Sequence, residues 1–147
     1  MAASVCSFAV PDVDSSVDSN DIQLWYTTPA LAPPTEVLLS CSWRDQGWGN
    51  QKGALYARLQ GVRSWYLITE ERAPHNKQHG NFAVPVKIFN VDGYAVLIKL
   101  ELGFNVGAGG GHQLKVDSAV LTITFKLCCI CAVDLGVLVL QPLRWLQ

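Results

Sequence analysis

Histidine and cysteine side chains are the first candidates for chemistry, because they supply most protein metal ligands and many catalytic nucleophiles. His75 and His79 lie in the stretch HNKQH, where the i, i+4 spacing would bring two imidazoles together on a helix. Pro74 and the neighbouring Asn and Gly residues instead make this stretch a loop, and the glutamate of the zinc protease motif is absent. The CCIC stretch at residues 128–131 has no second cysteine pair or nearby histidines. We therefore expect no metal and no cofactor.

Motifs for covalent or phosphate chemistry are also missing from the chain. It contains neither a GxSxG nucleophile elbow nor a P-loop. The adjacent Glu70, Glu71 and Arg72 could form a carboxylate cluster, but a solvated loop with local ion pairing accounts for them better. The sequence therefore predicts that this protein is not an enzyme.

The stretch SWRDQGWGNQKG, residues 42–53, is the candidate binding loop. Gly47 and Gly49 permit backbone angles that residues with a Cβ resist, and they leave Trp48 little local cover. In a functional interpretation, Trp48 offers an apolar face to a sugar ring or an aromatic base. Asp45, Gln46 and Asn50 then supply the donors and acceptors that orient the ligand.

A structural interpretation of the same loop competes with the functional one. Here Asp45 and Asn50 hydrogen-bond to loop backbone groups, Arg44 or Lys52 pairs with Asp45, and Trp48 plugs the end of the fold. Self-bonding Asx residues and buried tryptophans are commoner than ligand sites, which favours this interpretation. The exposure of Trp48 discriminates between the two.

A glycine-rich loop, NVGAGGGHQL, is the second unusual segment. Its spacing is not that of a dinucleotide fingerprint, and it does not open a helix within a strand-helix-strand unit. A run of glycines allows the backbone to approach another loop or a ligand closely. His112 follows the run and could hydrogen-bond in either case, although a structural histidine is the commoner outcome.

The segments that must position these loops have the sequence pattern of β-strands. A period of two places Val37, Leu39, Cys41 and Trp43 on one face of EVLLSCSW. The other candidates are IQLWY, GALYARLQ, SWYLITE, NFAVPVKIFN, YAVLIKLE and QLKVDSAVLTITF. Pro85 in the fifth of these indicates an edge strand or a bulge, and VDG before YAVLIKLE indicates a hairpin. The inward phase of the last strand changes near Asp117 and Ser118, as a β-bulge would require.

Seven or so short strands without a convincing amphipathic helix predict an all-β fold, an antiparallel β-sandwich of jelly-roll type. The first twenty-one residues carry PDVDSSVDSND and show no period that could bury a face. We therefore predict three parts: a disordered acidic leader at 1–21, the sandwich module at 22–126, and a divergent hydrophobic tail at 127–147.

The order of motifs resembles a known family. DQGWGN followed by KG and a strand, then ERAPH, a glycine-rich run ending GGH, and LKVDSAVLTI is similar to a recurrent β-sandwich module of eukaryotic multidomain and fungal proteins. That module is galactose-binding-like in fold and largely uncharacterised, and the resemblance covers residues 22–125. It implies loop-end sites at 45–50 and 109–112. Ala108 interrupts a glycine run that the family pattern makes longer.

Composition narrows the choice of partner and compartment. With 50% hydrophobic and 16% charged residues, the 147-residue chain can bury a genuine core. A net charge of -1 provides no basic field for phosphate binding, so nucleic acid is not an expected partner. Five cysteines, three of them crowded together, and the absence of a signal-peptide pattern favour the cytoplasm over a secretory route.

The hydrophobic C-terminal segment leaves an alternative open. Residues 119–140 approach the length of a membrane-spanning helix, but Lys126 and Asp134 divide them, at a cost of about 2.5 to 3.5 kcal/mol for each charge near a helix centre. β-Branched residues and alternation up to Phe125 favour a final buried strand instead. The alternative is a tail-anchored or membrane-associated protein, with a helix from about Ala119.

The leading hypothesis is a non-catalytic binding or interaction module for a glycan or a protein, with a site where the loops at 44–52 and 105–112 meet. The site residues that we predict are Asp45, Gln46, Trp48, Asn50 and His112. The competing hypothesis is a purely structural protein-interaction domain, in which both loops only hold the sandwich together. The sequence does not select an oligomeric state.

Overall fold

The structure is a computed structural model that describes residues 3–89 and 97–126. These residues form nine β-strands and one short 3-10 helix, and no α-helix occurs among them. The strands are β1 Ala3–Ala9, β2 Val13–Ser15, β3 Gln23–Thr27, β4 Glu36–Arg44, β5 Ala54–Leu59, β6 Tyr66–Leu67, β7 Gln78–Val84, β8 Leu100–Asn105 and β9 Leu114–Lys126. The 3-10 helix is Val86–Phe89. The predicted all-β class is confirmed.

Two antiparallel sheets pack face to face. The first has the order β1, β9, β4, β7, with β2 also paired to β9, and the second has the order β3, β8, β5, β6. Strands β1 and β2 follow one another along the same edge of β9. Side chains from the inner faces of both sheets form one buried cluster between them, as expected for a β-sandwich.

Strand β4 runs through the first sheet between β9 and β7. The predicted inward residues Val37, Leu39, Cys41 and Trp43 are all buried, so the period of two is confirmed here. Burial, with a smaller contribution from the Asp117 carboxylate, raises the pKa of the Cys41 thiol to about 12. Cys41 therefore remains a neutral core residue at physiological pH.

Strand β9 contains the predicted change of phase. Leu114 and Val116 face the core before it, and Ala119 and Leu121 face the core after it. The register of β9 with β4 shifts at this point, and Ser118 has a φ of 53°. Between the paired positions on either side of this shift, β9 has one residue more than β4, which makes a β-bulge. The bulge keeps apolar residues on the inner face both before and after Ser118.

The N-terminal segment corrects the predicted leader. Residues Ala3–Ala9 pair with β9 in antiparallel register along their whole length, and Val13–Ser15 extend the pairing beyond the bulge. Phe8 packs against the core, and Val13 is fully part of it. The sandwich therefore begins within residues 1–21, not at residue 22.

Pro85 ends a strand in this fold. Strand β7 stops at Val84, and Val86–Phe89 continue as a 3-10 helix, so the prediction of a strand across NFAVPVKIFN is wrong beyond Pro85. Proline has no amide hydrogen for the ladder, and its fixed φ suits the turn. The VDG hairpin lies outside the described residues, and described strand β8 begins only at Leu100.

The predicted tail lies largely outside the described residues. Ala119–Lys126 belong to β9, so the alternative of a helix beginning near Ala119 is wrong for this part of the chain. Within 3–89 and 97–126, no helix has the length and apolar character needed to cross a membrane. Residues 127–147 are outside the structural description.

Candidate functional site

The tryptophan loop joins β4 to β5 at one end of the sandwich. Gly47 and Gly49 have φ values of 89° and 72°, a backbone conformation that glycine adopts without strain. Between them, Trp48 is 64% exposed. The glycines therefore turn the chain sharply on either side of an exposed indole ring.

Asp45 anchors the start of this loop. Its Oδ1 accepts hydrogen bonds from the Gly47 amide and from His75 Nδ1, both at 2.8 Å. The Asp45 amide donates to the Pro74 carbonyl at 2.8 Å. The carboxylate is only 1% exposed, so Asp45 is a positioning residue and does not reach a ligand on the surface. Its side-chain partner is His75, and the expectation of Arg44 or Lys52 in that place is wrong.

Gln46 ties the tryptophan loop to itself and to the end of the glycine loop, just before β9. Its Nε2 donates to the Trp48 carbonyl at 2.6 Å and to the Asn50 carbonyl at 3.1 Å. Its Oε1 accepts from the Gln113 amide at 3.2 Å. Both the nitrogen and the oxygen of the side-chain amide are therefore hydrogen-bonded within the protein, and Gln46, like Asp45, is a positioning residue.

The glycine loop is held by the segment that the sequence analysis assigned to the leader. The amides of Gly109 and Gly110 donate to Asp18 Oδ1 at 2.9 and 3.3 Å. The Ala108 amide donates to Asn20 Oδ1 at 2.9 Å. Gly109 and Gly110 have φ values of 117° and 81°, which orient successive amides toward one carboxylate oxygen. The side chains of Asp18 and Asn20 therefore hold the glycine loop in shape. The sequence-based prediction assigned this role to neither residue.

The two loops meet, as the binding hypothesis requires. Lys52 Nζ donates to the Ala108 carbonyl. The edge of the Trp48 ring lies directly over Gly111, where a Cβ would come within 2.9 Å of the ring. Glycine at this position therefore allows the indole to lie against the neighbouring backbone.

Asn50 and His112 are the remaining predicted site residues. Asn50 is exposed, and its side chain makes no hydrogen bond within the described part of the chain. His112 is half-buried, and its Nδ1 is buried without a hydrogen-bond partner among the described residues. Where the two loops meet, we call the surface to which Trp48, Asn50, Gly111 and His112 contribute the tryptophan surface. Its exposed groups include the Trp48 ring and the Asn50 side chain, whereas His112 Nδ1 itself is buried.

The two histidines of the HNKQH stretch have separate partners. His75 binds Asp45, whereas His79 Nε2 lies 3.0 Å from the Ser40 hydroxyl across the β4/β7 pair. In the described ranges, no group of three His, Cys, Asp or Glu side chains could hold a metal ion. The helical arrangement considered for His75 and His79 does not form here because 78–84 is a strand.

The fold and these loops define a β-sandwich that carries a preformed loop surface at one end. No protein-family model matches the chain, and no curated protein matches it. Function is therefore inferred from the geometry of the chain itself.

Substitution of two neighbouring glycines tests whether the glycine loop supports Trp48. Gly110→Ala and Gly111→Ala impose similar backbone strain, at φ values of 81° and 74°, and we expect each to lower the free energy of unfolding by about 1 kcal/mol. A Cβ at residue 110 meets nothing within 4 Å, whereas a Cβ at residue 111 meets the Trp48 ring. Only Gly111→Ala should therefore displace the indole.

Thermal unfolding and the tryptophan emission spectrum measure the two effects separately. A Trp48→Phe background removes the contribution of Trp48 to the emission. In that background, the spectral difference between the two glycine variants should disappear. Equal spectra for Gly110→Ala and Gly111→Ala with Trp48 present would contradict the contact.

Proposed function

We propose that this chain is a non-catalytic binding module that takes a glycan on the tryptophan surface. The observation that carries the proposal is the exposure of Trp48, which is 64%, in a loop whose backbone is hydrogen-bonded on both sides of that residue. A sugar ring has an apolar face that stacks on an aromatic ring and polar edges that need donors and acceptors. The tryptophan surface offers both kinds of group.

The internal bonds of the loops support binding by limiting its entropic cost. Asp45 and Gln46 hold the turn, and Lys52 joins it to the glycine loop. A ligand then does not have to order the loop before it gains contacts, which is the usual advantage of a preorganised site. In this proposal the positioning residues contribute to affinity without touching the ligand.

Three side chains contact the ligand in this proposal. Trp48 stacks on the apolar face of a sugar ring, and the Asn50 amide and the His112 ring hydrogen-bond to its hydroxyl groups. The proposal differs from the sequence-based hypothesis in assigning Asp45 and Gln46 to the support of the loop. The reason is the burial of Asp45 and the internal hydrogen bonds that both side chains make.

A purely structural interaction domain is the second candidate. The observation that favours it is that Asp18, Asn20, Asp45 and Gln46 all direct their hydrogen bonds into the loops. In that case the loops only close the end of the sandwich, and partners bind another surface. The exposure of Trp48 favours the glycan site over this candidate.

Titration with soluble glycans tests the proposal. We expect at least one member of a panel of glucan, xylan, mannan, galactan and chitin oligosaccharides to change the tryptophan emission saturably. Trp48→Ala should abolish this response and change the free energy of unfolding by less than about 0.5 kcal/mol, because the ring is exposed. Isothermal calorimetry should show the same loss.

Val5→Ala provides the matched control for Trp48→Ala. Val5 is 58% exposed and pairs with Thr124, at the opposite end of β9 from Lys115, which pairs with Arg44 at the start of the tryptophan loop. Its truncation therefore removes exposed apolar area far from that loop. This variant should bind like the wild type. A wild-type protein that responds to no glycan, with a Trp48→Ala variant that is strongly destabilised, would favour the structural candidate.

A further inference from the structure

A groove runs along the outer edge of the first sheet, beside the segment 70–74. Its volume is about 440 Å³, and the six consecutive residues 78–83 of strand β7 line one side. The opposite wall contains Glu70, Glu71, Arg72 and Pro74. An unbroken run of six strand residues means that the groove follows the backbone edge of β7 as well as its side chains.

The outer edge of β7 has no strand partner in the described residues. Strand β7 ends the order of its sheet and pairs only with β4. In an antiparallel pair, alternate residues direct their amide and carbonyl groups away from the partner strand. None of the loop and turn hydrogen bonds within 3–89 and 97–126 involves the backbone of residues 78–83. The outward groups of β7 can therefore accept another strand.

Three apolar side chains, those of Trp43, Ile68 and Phe82, line part of the groove, which we call its floor. Phe82 folds its ring over Gly80 on the same strand, and it meets the Trp43 ring edge to face, with centroids 5.4 Å apart. Ile68 completes the floor and is only 7% exposed. Successive side chains of a strand point to opposite faces, so alternate side chains of an added strand would contact this floor.

Charge in the groove is unbalanced. Glu70 and Glu71 are exposed and form no ion pair in the part of the chain that the structure describes. Among the described residues that line the groove, Arg72 is the only lysine or arginine. Lys77 directly precedes β7, and its Nζ donates a hydrogen bond to Asp117 Oδ2 at 2.6 Å. That hydrogen bond also holds the pKa of the Asp117 carboxyl below its ordinary value. A basic side chain complements the remaining carboxylates.

We propose that this groove binds an extended peptide segment, which adds a strand to the free edge of β7 and places a lysine or arginine beside Glu70 and Glu71. Backbone hydrogen bonds supply sequence-independent affinity, while the apolar floor and the acidic wall select side chains. This site adjoins the glycan site, because Asn50 lines a neighbouring depression together with Glu71, Arg72 and Gln78. Trp48 does not line the groove, and the two sites are tested with different probes, so either proposal can fail without the other. The groove gives the module a protein partner as well as a small ligand.

The test uses a synthetic hexapeptide of alternating threonine and valine with one central lysine, acetylated and amidated at its ends. Amide hydrogen exchange, followed by NMR on the full chain, reports which β7 amides are covered. At saturating peptide, exchange of the outward amides of residues 78–83 should slow by tenfold or more. A control peptide with N-methyl groups on alternate residues, which cannot complete the ladder, should give no protection.

Protein variants test the charge preference. Glu70→Gln combined with Glu71→Gln should weaken binding of the lysine peptide about threefold to tenfold, in line with exposed ion pairs. Glu36→Gln, at the start of β4, changes the charge of an exposed residue that does not line the groove and should leave the affinity unchanged. The same peptide with glutamate in place of lysine should bind more weakly to the wild type.

Several outcomes would overturn the proposal. Equal protection by the N-methylated peptide would exclude a strand ladder, and protection elsewhere on the chain would exclude the groove. Protection of residues 78–83 that rises with protein concentration in the absence of peptide would identify a second copy of the chain as the occupant. Protection by an oligosaccharide alone would identify a sugar site there instead.

Discussion

Replacing Asp45 by alanine is expected to lower the free energy of unfolding by about 2 kcal/mol, one of the two largest effects that we predict for this chain. The carboxylate is 1% exposed and accepts hydrogen bonds from the Gly47 amide and His75 Nδ1. Alanine leaves both donors without this acceptor, and an unsatisfied buried group costs about 1 to 3 kcal/mol. The His75 side chain is 36% exposed, so water replaces part of its lost bond. Chemical denaturation monitored by circular dichroism measures the loss.

Three further variants separate the parts of this effect. Asp45→Asn keeps an acceptor for the Gly47 amide and should cost less than Asp45→Ala. His75→Ala removes only one of the two donors, so its cost should also be smaller. Asp12→Ala, at an exposed position, should change stability by less than about 0.5 kcal/mol. A cost for Asp45→Ala as small as that of Asp12→Ala would show that the anchor is not required.

Replacing Phe8 by aspartate is expected to destabilise the sandwich by about 3 kcal/mol, combining lost apolar burial with the cost of placing a charge on the inner face. Phe8 lies on β1, opposite Leu121 of β9, and packs against the core. If residues 1–21 were a solvated leader, the same substitution would have almost no effect. Thermal unfolding therefore tests the main correction to the predicted domain boundaries.

Val5→Asp is the matched control for Phe8→Asp. Val5 belongs to the same strand, but it is 58% exposed and points outward. Its substitution should cost less than about 0.5 kcal/mol, because the new carboxylate remains in water. Equal effects of the two variants, whether large or small, would contradict the alternation of β1.

The strands that the sequence predicts best are β4 and β9. Their buried residues alternate with less buried ones, except at the bulge in β9, because one face of each strand meets the core and the other does not. The bulge at Ser118 was also predictable, since the alternation reverses there. Local pattern is sufficient where a strand has two clearly different faces.

Strand β1 shows why local pattern failed elsewhere. Its inward residues Ser4, Cys6 and Phe8 are no more apolar as a set than the outward Val5 and Ala9, so the period of two carries no contrast. What makes this segment a strand is pairing with β9, more than a hundred residues later in the chain. Such long-range pairing leaves little trace in the local sequence.

The candidate site, like the strands, was predictable from the sequence only in part. Gly47, Trp48 and Gly49 made a shaped loop predictable, because only glycine adopts positive φ without strain. That the loop would meet the glycine run was part of the hypothesis, and hydrogen bonds between them confirm it. The division between supporting and exposed side chains was not predictable.

The sequence by itself determined the all-β class, the two glycine-containing loops and the residue types available at the site. Only the tertiary structure decided that Asp45 is a buried anchor for His75, thirty positions along the chain, and that Asp18 holds the amides of Gly109 and Gly110. Aspartate and glutamine can support a loop equally well or bind a ligand, and composition does not distinguish the two uses. The choice depends on which backbone donors lie within hydrogen-bond distance and on whether water is excluded, and the packing of distant segments sets both.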